Sequence, residues 1–131
     1  MELDGETLQI FIEDSQDNMR GIESDLLAIE AAGENIDDEL VNKVFRAVHS
    51  VKGSAAFMGL KNIRELARGM ENIMNLICTK QMAPKPDVIS VLLKSADVLN
   101  GLIKDAGSSN GADISGQLEK LKSTGLSGDK K

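Results

Sequence analysis

Several residue types with specialised chemistry are scarce or missing in this chain of 131 residues. It contains no tryptophan, no tyrosine and only three phenylalanines, so it offers little for stacking against nucleic-acid bases. Its single cysteine, Cys78, excludes an internal disulfide and predicts a reducing, cytoplasmic setting. One histidine and one cysteine cannot form a His/Cys metal cluster within the chain. We therefore expect no metal and no nucleic-acid partner.

Long apolar runs are missing as well. No stretch approaches the ~20 apolar residues that a membrane-spanning helix needs, and no signal peptide opens the chain, so no membrane insertion is expected. The apolar fraction of 41% and the mean hydropathy of -0.16 are typical of a soluble globular protein. A chain of this length predicts one domain with one core.

Charge is distributed unevenly along the chain. Residues 1–40 hold 13 acidic side chains against one basic residue, Arg20, for a net charge of -12. Residues 43–68 hold six basic side chains against Glu65, for a net charge of +5. An anionic reactant or an acidic partner would be attracted to the second region. A solvated face whose charges balance the acidic first segment is the simpler alternative.

Apolar residues recur at spacings of three, four and seven along most of the chain, which predicts amphipathic helices. The expected helices cover residues 4–32, 38–57, 61–80 and 86–106, with a short one over 112–123. Residues 107–111 have the composition of a flexible linker. The chain is thus predicted to be all-α, an antiparallel up-down four-helix bundle with a short fifth C-terminal helix. Residues 1–123 would form the domain, and 124–131 a disordered tail or the start of an interdomain linker.

The second predicted helix carries the only histidine, His49. At about 100° per residue, this helix carries one apolar stripe, formed by Val44, Val48, Val51, Ala55 and Met58. His49 lies roughly 120° from the centre of that stripe, where a buried face meets water. Lys52 and Gly53 follow at i+3 and i+4 and share its surface. Glycine inside a helix costs about 1 kcal/mol relative to alanine, so its position needs a reason. We interpret Gly53 as giving a bulky reactant access to the imidazole.

These residues also carry a family resemblance. The pattern His-x-x-Lys-Gly-Ser-Ala that begins at His49, followed by Phe-Met-Gly-Leu, resembles the histidine phosphotransfer (HPt) domain. With the preceding Val-Phe-Arg, it is most similar to the N-terminal phosphotransfer domain of CheA-type chemotaxis histidine kinases. The resemblance extends from about Leu8 to about Asp105.

The resemblance implies a role for each matching residue. His49 would accept a phosphoryl group, and Glu71 would hold the ring N–H and orient the imidazole. Lys52 would place a positive charge near the phosphoryl oxygens. The surface for a receiver or a kinase domain would include Arg46, Ser50, Ala56, Arg64 and Arg68.

One position departs from the family pattern, and one pair of alanines has a simpler interpretation. CheA-type kinases commonly have a second histidine where Arg68 stands. Arg68 could pair with Glu71 or with phosphate instead. Ala55 and Ala56 are interpreted as packing residues that let helices approach closely.

The chain has no Walker-type phosphate loop and no match to a kinase nucleotide-binding motif, so no cofactor is expected in this domain. ATP would be used by a separate kinase domain, in the same or another polypeptide, and the chain would be the phosphoacceptor domain of that enzyme. The phosphoryl group would pass to an aspartate of a response-regulator receiver of the CheY or CheB type.

Three alternatives remain at this point. A free-standing HPt protein of a multistep phosphorelay would use the same residues. A helical adaptor could bind an acidic partner without covalent chemistry. A metal or haem bundle is disfavoured, because Glu-x-x-His pairs are missing.

Overall fold

Residues 4–129, which the computed structural model describes, fold into six α-helices and no strand. The helices are α1 (Gly5–Met19), α2 (Ile22–Ala32), α3 (Asp38–Met58), α4 (Lys61–Cys78), α5 (Pro86–Lys104) and α6 (Ser115–Asp129). α1 and α2 both pack on α3 and α5, α4 packs on α3 and α5, and α6 packs on α4 and α5. The predicted all-α bundle is confirmed, with α1 and α2 forming its first leg and α6 added as the fifth element.

The first antiparallel element of the bundle consists of two helices, α1 and α2, where one long helix was predicted. α1 ends at Met19, and α2 begins at Ile22 after Gly21, whose φ of 82° lies in the left-handed region. The apolar pattern runs on through the break, because Met19, Ile22 and Leu26 are all buried. The prediction of a single helix over 4–32 was therefore wrong in its continuity and right in its buried face.

The α3–α4 hairpin brings the predicted functional residues opposite each other at the same level of the bundle. Asp37 caps α3 by accepting a hydrogen bond from the backbone N–H of Leu40 at 3.2 Å. Gly59 ends α3 with a φ of 72°, which glycine adopts without strain. His49 precedes this turn by about eleven residues and Glu71 follows it by about as many, so the two face each other across antiparallel helices.

The core runs through the middle of the bundle. Its largest fully buried side chains come from α2, α4 and α5: Leu26, Ile29, Ile63, Leu66, Met70, Ile73, Met74, Ile77, Ile89, Leu92, Leu99 and Ile103. α3 contributes smaller residues to it, namely Val41, Val44, Val48, Val51 and Ala55. Val44, Val48, Val51 and Ala55 were predicted to face the core, Val41 was not, and the predicted Met58 is half-buried. No helix within residues 4–129 is both long and apolar enough to cross a membrane.

The C-terminal part differs from the prediction in two places. Residues 107–111, predicted as a flexible linker, belong to a 3₁₀-helix over Ala106–Gly111 that is hydrogen-bonded to α4. The Asn62 side-chain amide donates to the carbonyls of Ser109 and Ala112 at 2.7 and 2.8 Å. α6 continues to Asp129, so residues 124–129 are helical rather than a disordered tail, and residues 130 and 131 lie outside the described part. The predicted role as the start of an interdomain linker stays a prediction.

Candidate functional site

Three side chains meet on the surface between α3 and α4. His49 Nδ1 is hydrogen-bonded to Glu71 Oε2, and Lys52 Nζ donates to Glu71 Oε1 at 2.6 Å. The exposed fraction of the side chain is 60% for His49, 28% for Lys52 and 11% for Glu71. A nearly buried carboxylate thus holds an exposed imidazole on one oxygen and an ammonium on the other. The predicted proximity of His49, Lys52 and Glu71 is present in the structure.

The protonation state of Glu71 depends on two opposing effects, its burial and its contacts with Lys52 and His49. Burial favours the neutral carboxyl and raises the pKa of Glu71, but the hydrogen bonds from Lys52 and His49 and the positive charge of Lys52 outweigh it. The resulting pKa lies below the ordinary value for glutamate, so the group is a carboxylate at neutral pH. A carboxylate can only accept hydrogen bonds, so Nδ1 of His49 must carry the proton. The neutral ring then has its lone pair on Nε2.

Gly53 lies one turn beyond His49 on α3 and borders open space. A Cβ atom at this position would meet no other side chain or distant backbone atom within 4 Å. The glycine is therefore not required by packing against another part of the described fold. The absence of steric need fits the access role expected from the sequence, and that role stays a prediction.

The predicted binding residues divide into two groups. Arg46, Ser50 and Ala56 are exposed on α3, so Ala55, which is fully buried, is the only packing residue of the predicted alanine pair. Arg64 Nε donates to Glu65 Oε2 at 3.1 Å, and the Arg68 guanidinium lies 4.0 Å from Glu65 Oε1.

The suggested pairing of Arg68 with Glu71 is therefore wrong in this structure. Both Glu71 oxygens are already occupied, by Lys52 and His49. Arg68 lies one turn before Glu71 along α4, and its side chain is 64% exposed. Its possible contact with phosphate stays a prediction.

One contact at the site was missed by the sequence reasoning. The Phe45 ring lies nearly parallel to the His49 imidazole, with 6.0 Å between ring centroids and 8° between the planes. The signal was available, because an aromatic residue four positions before a histidine on a helix shares its face.

The arrangement can perform nucleophilic chemistry at one nitrogen. Nε2 has a free lone pair and lies on an exposed ring, and Nδ1–H points at a carboxylate. A ring that gains positive charge when Nε2 forms a bond would be stabilised by that carboxylate. Basic side chains nearby favour an anionic reactant.

Sequence comparison identifies relatives of the whole bundle. The Hpt domain family matches residues 6–108. The chain is 34% identical over 117 residues to a chemotaxis protein CheA of Rhizobium meliloti, which covers 89% of this chain and 15% of that protein. It is 28% identical over 118 residues to the sensor histidine kinase CheAY of Helicobacter pylori, covering 88% of this chain and 14% of that protein. The chain thus spans about one seventh of the length of these relatives.

Two solved structures share the fold. The phosphorylated P1 domain of CheA3 from R. sphaeroides, solved in complex with CheY6, superposes with a TM-score of 0.81 at 22% identity, over 93% of this chain and 97% of that one. The solution structure of a histidine phosphotransfer domain of CheA gives a TM-score of 0.77 at 26% identity, over 92% of both chains. With the family match to residues 6–108, these likenesses confirm the resemblance deduced from the His49 segment: the chain belongs to the Hpt domain family.

Proposed function

We propose that the chain is a phosphocarrier domain of chemotaxis-type two-component signalling, with His49 as the phosphoacceptor. The observation that carries the proposal is the exposed His49 ring, whose Nδ1 is fixed by the nearly buried Glu71 carboxylate. This contact leaves Nε2 as the nucleophile on the open side. Family membership and the relation to CheA proteins support the same role.

Phosphoryl transfer to His49 takes place at Nε2. The Nε2 lone pair attacks the γ-phosphorus of ATP, the Nε2–P bond forms, and the P–O bond to ADP breaks with its electron pair on ADP. Nδ1 keeps its proton, so the ring becomes positively charged beside Glu71. In the return step, a receiver aspartate oxygen attacks phosphorus and the Nε2–P electron pair goes back to the ring. Glu71 thus stabilises charge that exists only while the bond to phosphorus forms or persists.

Lys52 has two tasks in this proposal. In the structure it neutralises part of the Glu71 charge through a 2.6 Å hydrogen bond. Because Lys52 and His49 bind the two oxygens of one carboxylate, the ammonium lies near the ring, where it can also attract phosphoryl oxygens when a phosphate is bound. Arg46 and the other exposed basic residues would then steer the anionic donor and an acidic receiver toward the site.

The partners follow from the chemistry. Phosphorylation requires an ATP-binding kinase domain, and the relatives that are several times longer than this chain are consistent with a donor in the same polypeptide. A receiver of the CheY or CheB type is the expected acceptor. The complex of the related P1 domain with CheY6 supports that choice. The cytoplasmic setting predicted from the single cysteine belongs to the same proposal.

The test is phosphotransfer in a defined mixture. The chain is incubated with radiolabelled ATP and a CheA kinase domain whose own phosphotransfer domain has been removed, and a receiver is added afterwards. We expect label that is stable in alkali and labile in acid, as a phosphoramidate is, and that then moves to the receiver. Label that is stable in acid, or no label in the chain, would contradict the proposal.

A further inference from the structure

Phe45 makes a contact with His49 that the phosphocarrier function does not by itself require. It lies one turn before His49 on α3, and its ring runs almost parallel to the imidazole at a centroid distance of 6.0 Å. Offset parallel arrangements within about 4.5 to 7 Å are favourable for aromatic pairs. Phe45 is itself half-buried and packs against the core, so its position is fixed from below.

The imidazole needs such a second contact. It is 60% exposed, and the hydrogen bond to Glu71 fixes only one of its atoms. A ring held by its own Cβ–Cγ bond and by one hydrogen bond at Nδ1 can still tilt. Such a tilt would move Nε2 away from the direction of attack. A flat hydrocarbon surface beside the ring limits this rotation without donating or accepting a hydrogen bond.

We propose that Phe45 is a positioning residue, which together with Glu71 fixes the direction in which His49 Nε2 faces its phosphodonor. The inference rests on the proposed function, because it concerns the rate of the same phosphorylation. It assigns Phe45 no contact with the phosphoryl group, which approaches the opposite nitrogen from the one bound to Glu71.

The test uses a donor that needs no protein surface. Phosphoramidate transfers its phosphoryl group directly: the Nε2–P bond forms, the P–N bond of phosphoramidate breaks, and ammonia leaves after taking a proton from water. Rates with this donor report on the imidazole itself and exclude changes in docking of a kinase or receiver domain.

Three variants separate the explanations. Phe45→Leu keeps an apolar side chain and removes the flat ring, whereas Phe45→Tyr keeps the ring. Phe57→Leu makes the same change on the same helix at a side chain that is 87% exposed and lies two turns beyond His49. We expect Phe45→Leu to slow phosphorylation about two- to tenfold, the range that corresponds to one aromatic pair contact. Phe45→Tyr and Phe57→Leu should match the wild-type rate within error.

A second readout follows the ring directly. In the wild-type protein, the His49 ring protons should show contacts to the Phe45 ring and a ring-current shift in the NMR spectrum. Both should vanish in Phe45→Leu while the Nδ1–H tautomer stays unchanged. A change in stability alone would not move these signals.

The rates of the variants and of wild type decide between the role of Phe45 and the proposed function. Equal rates for Phe45→Leu and wild type overturn the inference, as does an equal loss in Phe45→Tyr or in Phe57→Leu. A wild-type protein that never becomes phosphorylated on His49 overturns the proposed function and the role of Phe45 with it. Slow phosphorylation confined to Phe45→Leu, with wild-type labelling intact, supports the inference.

Discussion

Gly53 on α3 and Gly69 on α4 lie in opposite surroundings. A Cβ atom at Gly53 would meet nothing within 4 Å, whereas one at Gly69 would lie 2.8 Å from Leu121 Cδ1 and 3.3 Å from Leu121 Cβ. Gly69 therefore lets α6 pack closely on α4, whereas Gly53, one turn beyond His49 on α3, borders open space. The same residue type allows close helix packing at Gly69 and lies beside open space at Gly53.

This contrast defines two faces of the α3–α4 pair. The reactive face consists of Phe45, His49, Lys52 and Gly53 on α3 with Glu71 on α4, and the packing face is the side of α4 at Gly69, against which Leu121 of α6 lies. Changes on the reactive face should alter phosphoryl transfer and spare stability, because few of these atoms are needed to fill the core. Changes on the packing face should do the reverse.

The largest expected effect is the loss of all phosphorylation in His49→Gln. The ring is 60% exposed, so its replacement leaves no large cavity and the melting temperature should stay close to that of wild type. Labelling with a kinase domain and ATP, together with a thermal melt, measures both. Phosphorylation of the variant at any other residue would show that the reactive face has been assigned wrongly.

Glu71→Gln should have the next largest effect, slowing phosphorylation by about a hundredfold, because a charge that stabilises the transition state is removed. Glu65→Gln is the matched control on the same helix, since Glu65 pairs with Arg64 rather than with His49. Rates of labelling by phosphoramidate compare the two variants. Equal rates in Glu71→Gln and Glu65→Gln would mean that the carboxylate beside His49 has no chemical role.

Substituting valine at each glycine tests the contrast itself. Gly53→Val should gain a few tenths of a kcal/mol from helix propensity, as about 1 kcal/mol separates glycine from alanine. It should also slow transfer to a receiver by about tenfold or more, because its side chain stands beside the ring and displaces the reactant. Gly69→Val should lose about 1 to 3 kcal/mol through overpacking against Leu121 and keep its transfer rate while folded.

Denaturant unfolding and receiver labelling measure the two quantities for each valine variant. The double variant with Gly69→Val and Leu121→Ala should recover part of the lost stability, since the overlap is with the Leu121 side chain. If Gly53→Val transfers at the wild-type rate, access is not the reason for the glycine.

The smallest expected effect concerns pH. Burial raises the pKa of Glu71, but Lys52 and His49 lower it by more, so that it lies below the ordinary value of 4.5 in the folded chain. Its contribution to folding is therefore fully present above 4.5 and is lost as the pH falls through the lower folded value. The unfolding free energies of wild type and Glu71→Gln should lie further apart above pH 4.5 than in acid, where they should converge. A difference that grows on acidification would contradict the depressed pKa.

Much of the bundle was predictable, because the apolar residues that recur at helical spacing are the ones buried in the core. The stripe Val44, Val48, Val51 and Ala55 was identified from periodicity and is fully buried. The break at Gly21 was missed because the apolar pattern of α1 continues in phase into α2. A left-handed glycine between two such segments changes the direction of the chain and leaves the pattern intact.

The site was predictable in its residues and less so in its contacts. His49, Lys52 and Glu71 were chosen from one motif and one helix position, and the structure joins them. Arg68 lies beside Glu65 rather than Glu71. The reason for a glycine at position 69 is the side chain of Leu121, which belongs to a separate helix. Periodicity within one helix contains no information about which residue of another helix fills a given space.

The most direct test of the account is the identity of the phosphorylated nitrogen. The chain has one histidine, so ¹⁵N-histidine labelling gives a single imidazole in the NMR spectrum. After phosphorylation, we predict coupling of phosphorus to Nε2 of His49 and a proton retained on Nδ1, facing Glu71. Coupling of phosphorus to Nδ1, or an unmodified imidazole in a phosphorylated chain, would contradict the account.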